Sequence, residues 1–210
     1  ENRRVKDEAY WPLSAYSANT TSPRPESYRE DYNLTHRNES LTKAERQQLC
    51  LDIAAAAESG WDFSSRWFKQ PHLGIASIQT TSIIPVDLNA FLFQFETNMY
   101  NFYEKVGDTE RSEQYRVDAN NRYKAIEAHL WNEKHQQWMD FDMRAKAPIE
   151  RVAASNFIPL SVFSNFLSNR SSIPIDVNKS YLEKSFVALN QSDLVGMAGV
   201  KATDVKGTKQ

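Results

Sequence analysis

Asp62 is the residue of this sequence that is best placed to transfer a proton. It lies in the segment ESGWDFSSRW at residues 58–67, just after a predicted helix and between Trp61 and Phe63. The negative end of the helix dipole and the apolar neighbours both favour the protonated form of the carboxyl group. A carboxyl group that keeps its proton near neutral pH can act as a general acid. Arg66 would oppose this if its side chain reached Asp62.

The residues around Asp62 allow two interpretations. Trp61 and Trp67 could stack on the apolar face of a pyranose ring, which would place a sugar beside the acid. Alternatively, Asp62 is the N-cap of a new turn, and the aromatic residues around it belong to the core. This segment by itself favours neither interpretation.

The segment PRPESYRED at residues 23–31 is the second candidate for chemistry. Two prolines stiffen the backbone around Arg24, and Glu26 follows two positions later. A planar guanidinium and a carboxylate on a rigid loop can bind neighbouring sugar hydroxyls through directed hydrogen bonds. The alternative is a surface turn in which Arg24 and Glu26 form an exposed ion pair of little energetic value.

The composition excludes several other classes of function. The 210 residues carry a formal net charge of -2, which gives no electrostatic basis for binding nucleic acid or an anionic membrane. The sequence contains no long apolar run, no glycine-rich phosphate loop and no Gly-x-Ser-x-Gly motif. Its 4 histidines are scattered without metal-ligand spacing, and its single cysteine, Cys50, cannot form an internal disulfide. Nucleotide, zinc and serine-hydrolase chemistries are therefore disfavoured.

Asparagines in the N-glycosylation pattern Asn-x-Ser/Thr are more frequent than chance placement of serine and threonine would produce. They are Asn19, Asn33, Asn38, Asn169, Asn178 and Asn190. This excess favours a secreted or extracellular protein of the eukaryotic secretory route, and it leaves membrane anchoring of the full-length protein open. The alternative is that these asparagines are solvated loop and helix-cap positions that are never glycosylated.

The helix before the acidic segment is predicted with both of its ends. Thr42 and Glu45 match a capping box, and Gly60 suits the position after the helix because glycine adopts positive φ readily. Between them, Leu49, Ile53 and Ala57 fall on one stripe, which predicts a buried face.

A shorter helix is predicted ahead of it. Ser27 and Glu30 form a second capping-box pattern, so this helix should begin at Ser27. Residues 1–26, which contain several prolines, are expected to be irregular.

More helices are predicted after the acidic segment. A loop at residues 61–85 leads to a helix that Asp87 caps and Gly107 ends. The next helix should begin at Asp108 or Thr109 and run to residue 130. The apolar face predicted for the first of these two helices comprises Leu88, Phe91, Leu92, Phe95, Met99 and Phe102.

The last third of the sequence changes its periodicity. Apolar residues alternate with polar ones over residues 131–143, which predicts a β-hairpin that turns near Lys134 and His135. Helices are expected from Pro148 through residue 163 and over residues 177–189, and residues from 196 onward are expected to be irregular. Helices joined by short turns at one end and long loops at the other are typical of an all-α toroid or bundle.

Three segments of this sequence resemble motifs of the trehalase family, glycoside hydrolase family 37. Residues 23–31 (PRPESYRED) resemble its substrate-binding loop, residues 59–67 (SGWDFSSRW) the segment with its catalytic acid, and residues 84–92 (IPVDLNAFL) a third motif. Weaker similarity continues at residues 130–133 and 154–160. The resemblance implies that residues 1–210 are the central portion of an (α/α)6 barrel with a small β-hairpin insertion.

The resemblance also implies an activity and the residues responsible for it. Trehalases hydrolyse α,α-trehalose to two glucose molecules with inversion of configuration. Asp62 is the implied general acid, while Arg24, Pro25, Glu26 and the backbone of Gly60 are implied to line the glucose subsites. Inversion requires a second carboxylate, about 6.5–9.5 Å from the first, to activate water. The resemblance implies no metal and no cofactor, and trehalose is the partner that it implies.

The sequence departs from the family pattern in one important respect. The family's general base is a glutamate in a glycine-rich stretch, and residues 1–210 contain no such stretch. The family's upstream signature is also missing. Glu58, Asp87 and Glu96 are poor substitutes for the base, because Glu58 lies close to the acid in sequence and Asp87 is predicted to cap a helix.

This chain is therefore interpreted as an internal fragment that carries the general acid but not the base, and that is inactive alone. Two alternatives remain open. One is an inactive carbohydrate-binding relative that uses Arg24 and Glu26 only to bind. The other is another (α/α)6 glycosidase with a different disaccharide specificity.

Overall fold

Helical segments account for most of the residues that the computed structural model describes, which are residues 2–4, 10, 12–37, 39–168, 173–196 and 199–203. The helices are α1 (Tyr28–His36), α2 (Lys43–Glu58), α3 (Val86–Val106), α4 (Thr109–Leu130), α5 (Ile158–Ser168) and α6 (Lys179–Gln191). The strands are β1 (Asn2–Arg4), β2 (Ser14–Tyr16), β3 (Ile83–Ile84), β4 (Trp131–Asn132), β5 (Gln137–Trp138), β6 (Phe141–Asp142), β7 (Ala147–Pro148), β8 (Val195–Gly196) and β9 (Gly199–Val200). Strands β1 and β2 lie in a part of the chain that was predicted to be irregular.

The described residues form two units. Most of the first unit lies within residues 15–84, and most of the second lies within residues 85–203. The two candidate segments, at residues 23–31 and 58–67, both belong to the first unit.

Helix α2 forms the centre of the first unit, and both of its predicted ends are confirmed. The Thr42 hydroxyl accepts a hydrogen bond from the Glu45 main-chain N–H, and the Glu45 carboxylate accepts one from the Thr42 N–H at 2.7 Å. Gly60 has φ +72°, which places it in the left-handed region beyond the end of the helix. Leu49, Ile53 and the run of alanines at residues 54–56 are buried, so the predicted stripe faces the core.

Helix α1 is also confirmed, but its predicted capping box is wrong. Ser27 occupies the N-cap position with φ -136° and ψ 34°, and its side chain makes no cap hydrogen bond. Residues 25–27 form a 3-10 turn that leads directly into the helix. The 3-10 turn therefore sets the start of α1. The helix begins at the predicted residue even though the side chains of Ser27 and Glu30 do not form the predicted capping box.

This difference between the two caps gives a stability prediction. Replacing Thr42 with alanine in the full-length protein should lower the free energy of unfolding by about 0.5–2 kcal/mol, because the N-cap bond is lost. Ser27→Ala is the matched control and should cost less, because no cap bond is lost there. Urea unfolding followed by circular dichroism measures both values. Equal losses in the two variants would contradict the assignment of the caps.

The loop predicted at residues 61–85 contains short 3-10 turns rather than irregular chain, at Ser65–Trp67, Pro71–Ser77 and Thr80–Ser82. Asp52 of α2 fixes the last of them. The buried Asp52 carboxylate accepts hydrogen bonds from the main-chain N–H and the hydroxyl of Thr81, both at 2.7 Å. Gln48 donates to the same carboxylate at 3.0 Å. The loop is therefore anchored to α2.

Aromatic rings from several elements form the core of the second unit. Phe93 of α3 lies 5.2 Å from Phe163 of α5 and 5.9 Å from Tyr123 of α4, between ring centroids. Trp138 of β5 lies 5.5 Å from Phe163. These rings pack α3, α4 and α5 against β5.

A buried ion pair connects α3 to α4 within this unit. The side chains of Arg122 and Glu96 are 3% and 7% exposed, and the Arg122 guanidinium donates to the Glu96 carboxylate at 2.7–2.9 Å. Arg122 also donates to the main-chain oxygen of Pro12 at 3.0 Å and to the Asn89 amide oxygen at 3.1 Å. The charge of Glu96 is thus compensated inside the core.

Two details of the α3 prediction are wrong. Pro85 occupies the N-cap, and Asp87 lies in the first turn, where its carboxylate accepts a hydrogen bond from the Leu88 N–H. Much of the predicted apolar face is exposed, with Phe91, Phe95 and Phe102 48%, 52% and 59% exposed. The buried face of α3 is instead the one that contains Phe93, which belongs to the aromatic core, and Glu96, which pairs with Arg122. The beginning of α4 is confirmed, since the Asp108 side chain accepts from the Arg111 N–H.

The predicted hairpin is confirmed, and a second one follows it. In the first, β4 and β5 are antiparallel, with Trp131 opposite Trp138. In the second, β6 pairs with β7, with Phe141 opposite Pro148. Pro148 therefore ends a hairpin, and the prediction that it starts a helix is wrong, because α5 begins at Ile158.

The final predicted helix is confirmed as α6, whose N-cap Asn178 accepts from the Ser180 N–H. The chain from residue 196 onward was predicted to be irregular. Instead β8 and β9 pair in an antiparallel arrangement, with Val195 opposite Val200. Two-residue strands such as these are too short to produce an alternating pattern in the sequence.

Candidate active site

Arg24 is held by a carboxylate that lies further along the same segment. Its Nε and Nη2 donate to the two oxygens of Asp31 at 2.8 Å and 2.9 Å, and its main-chain N–H donates to the same carboxylate at 3.1 Å. The Arg24 and Asp31 side chains are 13% and 5% exposed. The predicted alternative, an exposed ion pair with Glu26, is therefore wrong, because the partner is Asp31 and the pair is largely buried.

Three carboxylates act on the Arg24 guanidinium. The hydrogen bonds that the Arg24 guanidinium donates to Asp31, together with the charge of that carboxylate, raise the pKa of Arg24, although burial acts in the opposite direction. The charges of Glu26 and Asp62 raise this pKa further. The side chains of both candidate segments therefore lie within electrostatic range of one another. Glu26 and Asp62 are themselves exposed, as a group that must meet a substrate has to be.

The end of α2 and a tight turn position Asp62. The Ser59 hydroxyl donates to the Ala56 main-chain oxygen at 2.6 Å and accepts from the Trp61 N–H at 3.0 Å. The Trp61 main-chain oxygen then accepts from the Ser64 N–H at 2.7 Å and from the Trp67 indole at 3.2 Å. The backbone on both sides of Asp62 is thus fixed by hydrogen bonds that do not involve its carboxylate.

The alternative reading of Asp62 as an N-cap is wrong. Ser64 caps the following 3-10 turn, and its hydroxyl accepts a hydrogen bond from the Arg66 N–H at 3.3 Å. Trp67 is 0% exposed, so it belongs to the core and cannot stack on a sugar. Trp61 is half-buried and keeps some accessible surface.

Arg66 is a buried part of the scaffold below this turn. Its side chain packs against two aromatic rings, with the guanidinium carbon 5.1 Å from the Trp61 ring centroid and 4.4 Å from that of Trp67. The residue is 2% exposed. Arg66 therefore holds the two indoles in place, and each indole in turn contacts the turn around Asp62.

A pocket of about 430 Å³ opens beside Arg24 within the first unit. Its walls combine the guanidinium groups of Arg24 and Arg37 and the carboxylates of Glu30 and Asp31 with apolar surface from Leu34, Phe63 and Ile75. Glu26, Gly60 and Asp62 are not among its lining residues. The Phe63 ring lies under the Arg24 guanidinium, 5.2 Å from its carbon to the ring centroid. Charged donors beside apolar surface are suited to a polyhydroxylated ring, which presents hydroxyl groups at its edge and C–H groups on its faces.

The other carboxylates considered for catalysis have different surroundings. Glu96 forms the buried ion pair with Arg122, and Asp87 is 1% exposed. Glu58 is exposed at the last residue of α2. Among the described residues, no cluster of three or more His, Cys, Asp or Glu side chains could hold a metal ion.

Two contacts that matter to this geometry were not predicted from the sequence, namely those of Arg24 with Asp31 and with Phe63. Both residues are visible in the quoted segments, but their contact with Arg24 depends on the folded path of the chain. The spacing of Arg24 and Asp31 across a proline-containing turn was the available signal for the first of them.

Comparison with known proteins gives a consistent result. A family model described as trehalase matches residues 1–210. The chain is 33% identical to a periplasmic trehalase of Citrobacter koseri over 211 residues, covering 100% of this chain and 34% of that protein. It is 38% identical to a trehalase of Homo sapiens over 151 residues, covering 70% of this chain and 25% of that protein.

A solved structure supports the fold. The neutral trehalase of Saccharomyces cerevisiae matches with a TM-score of 0.67 at 19% sequence identity, over 96% of this chain and 38% of that chain. The predicted fold class is thereby confirmed as all-α and part of an (α/α)6 barrel. The chain spans about a third of the length of the curated bacterial relatives that it matches.

Proposed function

This chain belongs to the trehalase family, and on that premise we propose that the protein containing it hydrolyses α,α-trehalose to two glucose molecules with inversion. Asp62 is the general acid in this proposal. The observation that supports it best is that Arg24 lies over the ring of Phe63, the residue after Asp62, with its guanidinium carbon 5.2 Å from the ring centroid. The charges of Glu26 and Asp62 both raise the pKa of this guanidinium, in agreement with that arrangement.

The proposed reaction needs one proton and one water molecule. Asp62 donates its proton to the glycosidic oxygen, so that one glucose leaves as a neutral alcohol while the C1–O bond breaks. A second carboxylate removes a proton from the water that attacks C1 on the opposite face. We place that base outside residues 1–210, in keeping with the length of the relatives. Residues 1–210 thus form the central portion of a catalytic domain.

The glucose subsites are assigned to the same few residues. Arg24 and Glu26 bind adjacent hydroxyls, because a guanidinium donates and a carboxylate accepts. Pro25 stiffens the backbone between them, and the backbone of Gly60 lines the site next to the acid. The positive φ of Gly60 explains why a residue with a side chain would be strained there.

We also propose that the protein is secreted or extracellular. Relatives are named periplasmic trehalases, which is consistent with a secreted or extracellular protein. Asn19, Asn33, Asn178 and Asn190 are exposed, as glycosylation would require, whereas Asn38 and Asn169 lie outside the described residues. None of the helices in the described part of the chain combines the length and hydrophobicity needed to cross a membrane.

A substrate comparison with the full-length protein tests the proposal. Trehalose should be hydrolysed in strong preference to maltose and sucrose, and NMR of the first products should show equal amounts of α- and β-glucose. Residues 1–210 alone, assayed in parallel, should be inactive. Binding of trehalose without hydrolysis would indicate a carbohydrate-binding relative. Preference for maltose or sucrose would indicate a different glycosidase, and either result would contradict the proposal.

A further inference from the structure

We propose that Asp31 is a positioning residue that fixes the orientation of Arg24 for its glucose hydroxyl. The inference rests on the proposed function, since it concerns the same site. It assigns a role to a residue that belongs to neither the acid nor the subsite residues named above.

The contact between the two residues has the geometry of an orienting pair. Both oxygens of Asp31 are used, one by Nε and one by Nη2 of Arg24, at 2.8 Å and 2.9 Å. Parallel bonds of this kind fix the plane of the guanidinium, whereas a single contact would let it rotate. The third bond, from the Arg24 main-chain N–H at 3.1 Å, fixes the backbone at the same point.

Burial favours this orientation of the pair. Asp31 is 3% exposed, so its carboxylate has little access to water as an alternative partner. The backbone around it is fixed as well, because the Thr35 hydroxyl donates to the Asp31 main-chain oxygen at 2.8 Å within α1.

The opposite side of Arg24 connects it to the catalytic acid. The guanidinium carbon lies 5.2 Å from the centroid of the Phe63 ring, and Phe63 directly follows Asp62 in sequence. The guanidinium is thus held by Asp31 through its edge and by Phe63 through its face. Any rotation of Arg24 would disturb both the glucose hydroxyl that it binds and the ring next to the acid.

The pair leaves donors available for a substrate. Asp31 occupies the Nε and Nη2 edge, so the Nη1 edge points away from the carboxylate and can bind a hydroxyl group. Asp31 itself touches no substrate in this arrangement. Its effect on catalysis is exerted through Arg24.

Kinetics of the full-length protein test this role. Asp31→Asn should lower kcat/KM for trehalose by about 10- to 100-fold, because a shift of the Arg24 guanidinium by up to about 1 Å is enough to weaken its contact with the substrate to that extent. KM should rise, because Arg24 binds the ground state too. Arg24→Lys keeps a charge opposite Asp31 but loses the parallel bonds, and it should show a loss of similar size. Glu39→Gln, an exposed carboxylate just after α1, is the matched control.

A rescue experiment separates positioning from a purely structural role. Ethylguanidinium added to Arg24→Ala should restore part of the activity while Asp31 is present, and none in Arg24→Ala combined with Asp31→Asn. Equal rescue in both backgrounds would overturn the proposal, as would wild-type kcat/KM in folded Asp31→Asn or in Arg24→Lys. Activity of the unmodified protein on trehalose, measured first, shows separately whether the proposed function itself holds.

Discussion

Asp62→Asn in the full-length protein is expected to lower kcat for trehalose by about 10²- to 10⁴-fold, the contribution typical of a positioned general acid. Asparagine has nearly the same shape as aspartic acid but has no acidic proton to give to the leaving glucose. The hydrogen bonds that shape the turn involve the backbone of Trp61 and Ser64, so they should survive the change. Asp62→Ala should show a loss of similar size.

Two further measurements make this result specific to the acid. Asp193→Asn is the same chemical change at an exposed aspartate of the second unit, and it should leave kcat unchanged. Trehalose should still bind to Asp62→Asn in calorimetry, because Arg24 and Glu26 remain. Near-wild-type turnover in both Asp62 variants would exclude Asp62 as the acid.

Arg122→Met is expected to lower the free energy of unfolding by about 3–5 kcal/mol, the cost of breaking a buried ion pair by removing one of its members. The change removes all the hydrogen bonds that Glu96 receives from Arg122, together with those to Pro12 and Asn89. Methionine fills much of the same volume, so the loss reflects the broken ion pair rather than a cavity. Urea unfolding of the full-length protein, followed by fluorescence, measures it.

Another ion pair on α4 provides the matched control. Arg116 pairs with Glu113, and these side chains are 34% and 59% exposed, so Arg116→Met should change stability far less. Glu96→Gln should also be destabilised, yet its folded fraction should keep the wild-type kcat, because Glu96 is structural. Equal stability in Arg122→Met and Arg116→Met would contradict the stabilising role of the buried Arg122–Glu96 pair. Loss of kcat in Glu96→Gln would instead make Glu96 a candidate base.

The ends of several helices could be predicted from the sequence, because local chemistry determines them. Thr42 with Glu45 begins α2, and Asp108 begins α4, each through a bond between a side chain and a backbone N–H a few residues away. Gly60 follows α2 with positive φ for an equally local reason. Pro148 was misassigned because proline suits both the first turn of a helix and the edge of a sheet.

Which face of a helix is buried could not be predicted as reliably. Helix α3 has apolar residues on more than one side, and periodicity alone selected the side with Phe91 and Phe95, which is exposed. The buried side contains Phe93 but also Glu96, whose charge is acceptable there only because Arg122 reaches it from α4. A partner on another helix leaves no trace in the local pattern.

The same limit applies to the candidate site. Arg24, Glu26 and Asp62 were identified from their segments, and the structure brings their charges within range of one another. The pairing of Asp31 with Arg24 could not be predicted, because it depends on the turn that brings the two side chains together. The prediction that Trp67 stacks on a sugar is wrong, because a fully buried indole cannot do so.

The role of Asp62 as proton donor is tested most directly with a substrate whose leaving group needs no proton. α-Glucosyl fluoride and trehalose would be compared as substrates for the full-length protein and for Asp62→Asn. We expect the variant to hydrolyse the fluoride within about tenfold of the unmodified protein, while its rate on trehalose falls by at least about 10²-fold. Equal losses on both substrates would show that Asp62 acts in some other way, as a base or a binding residue.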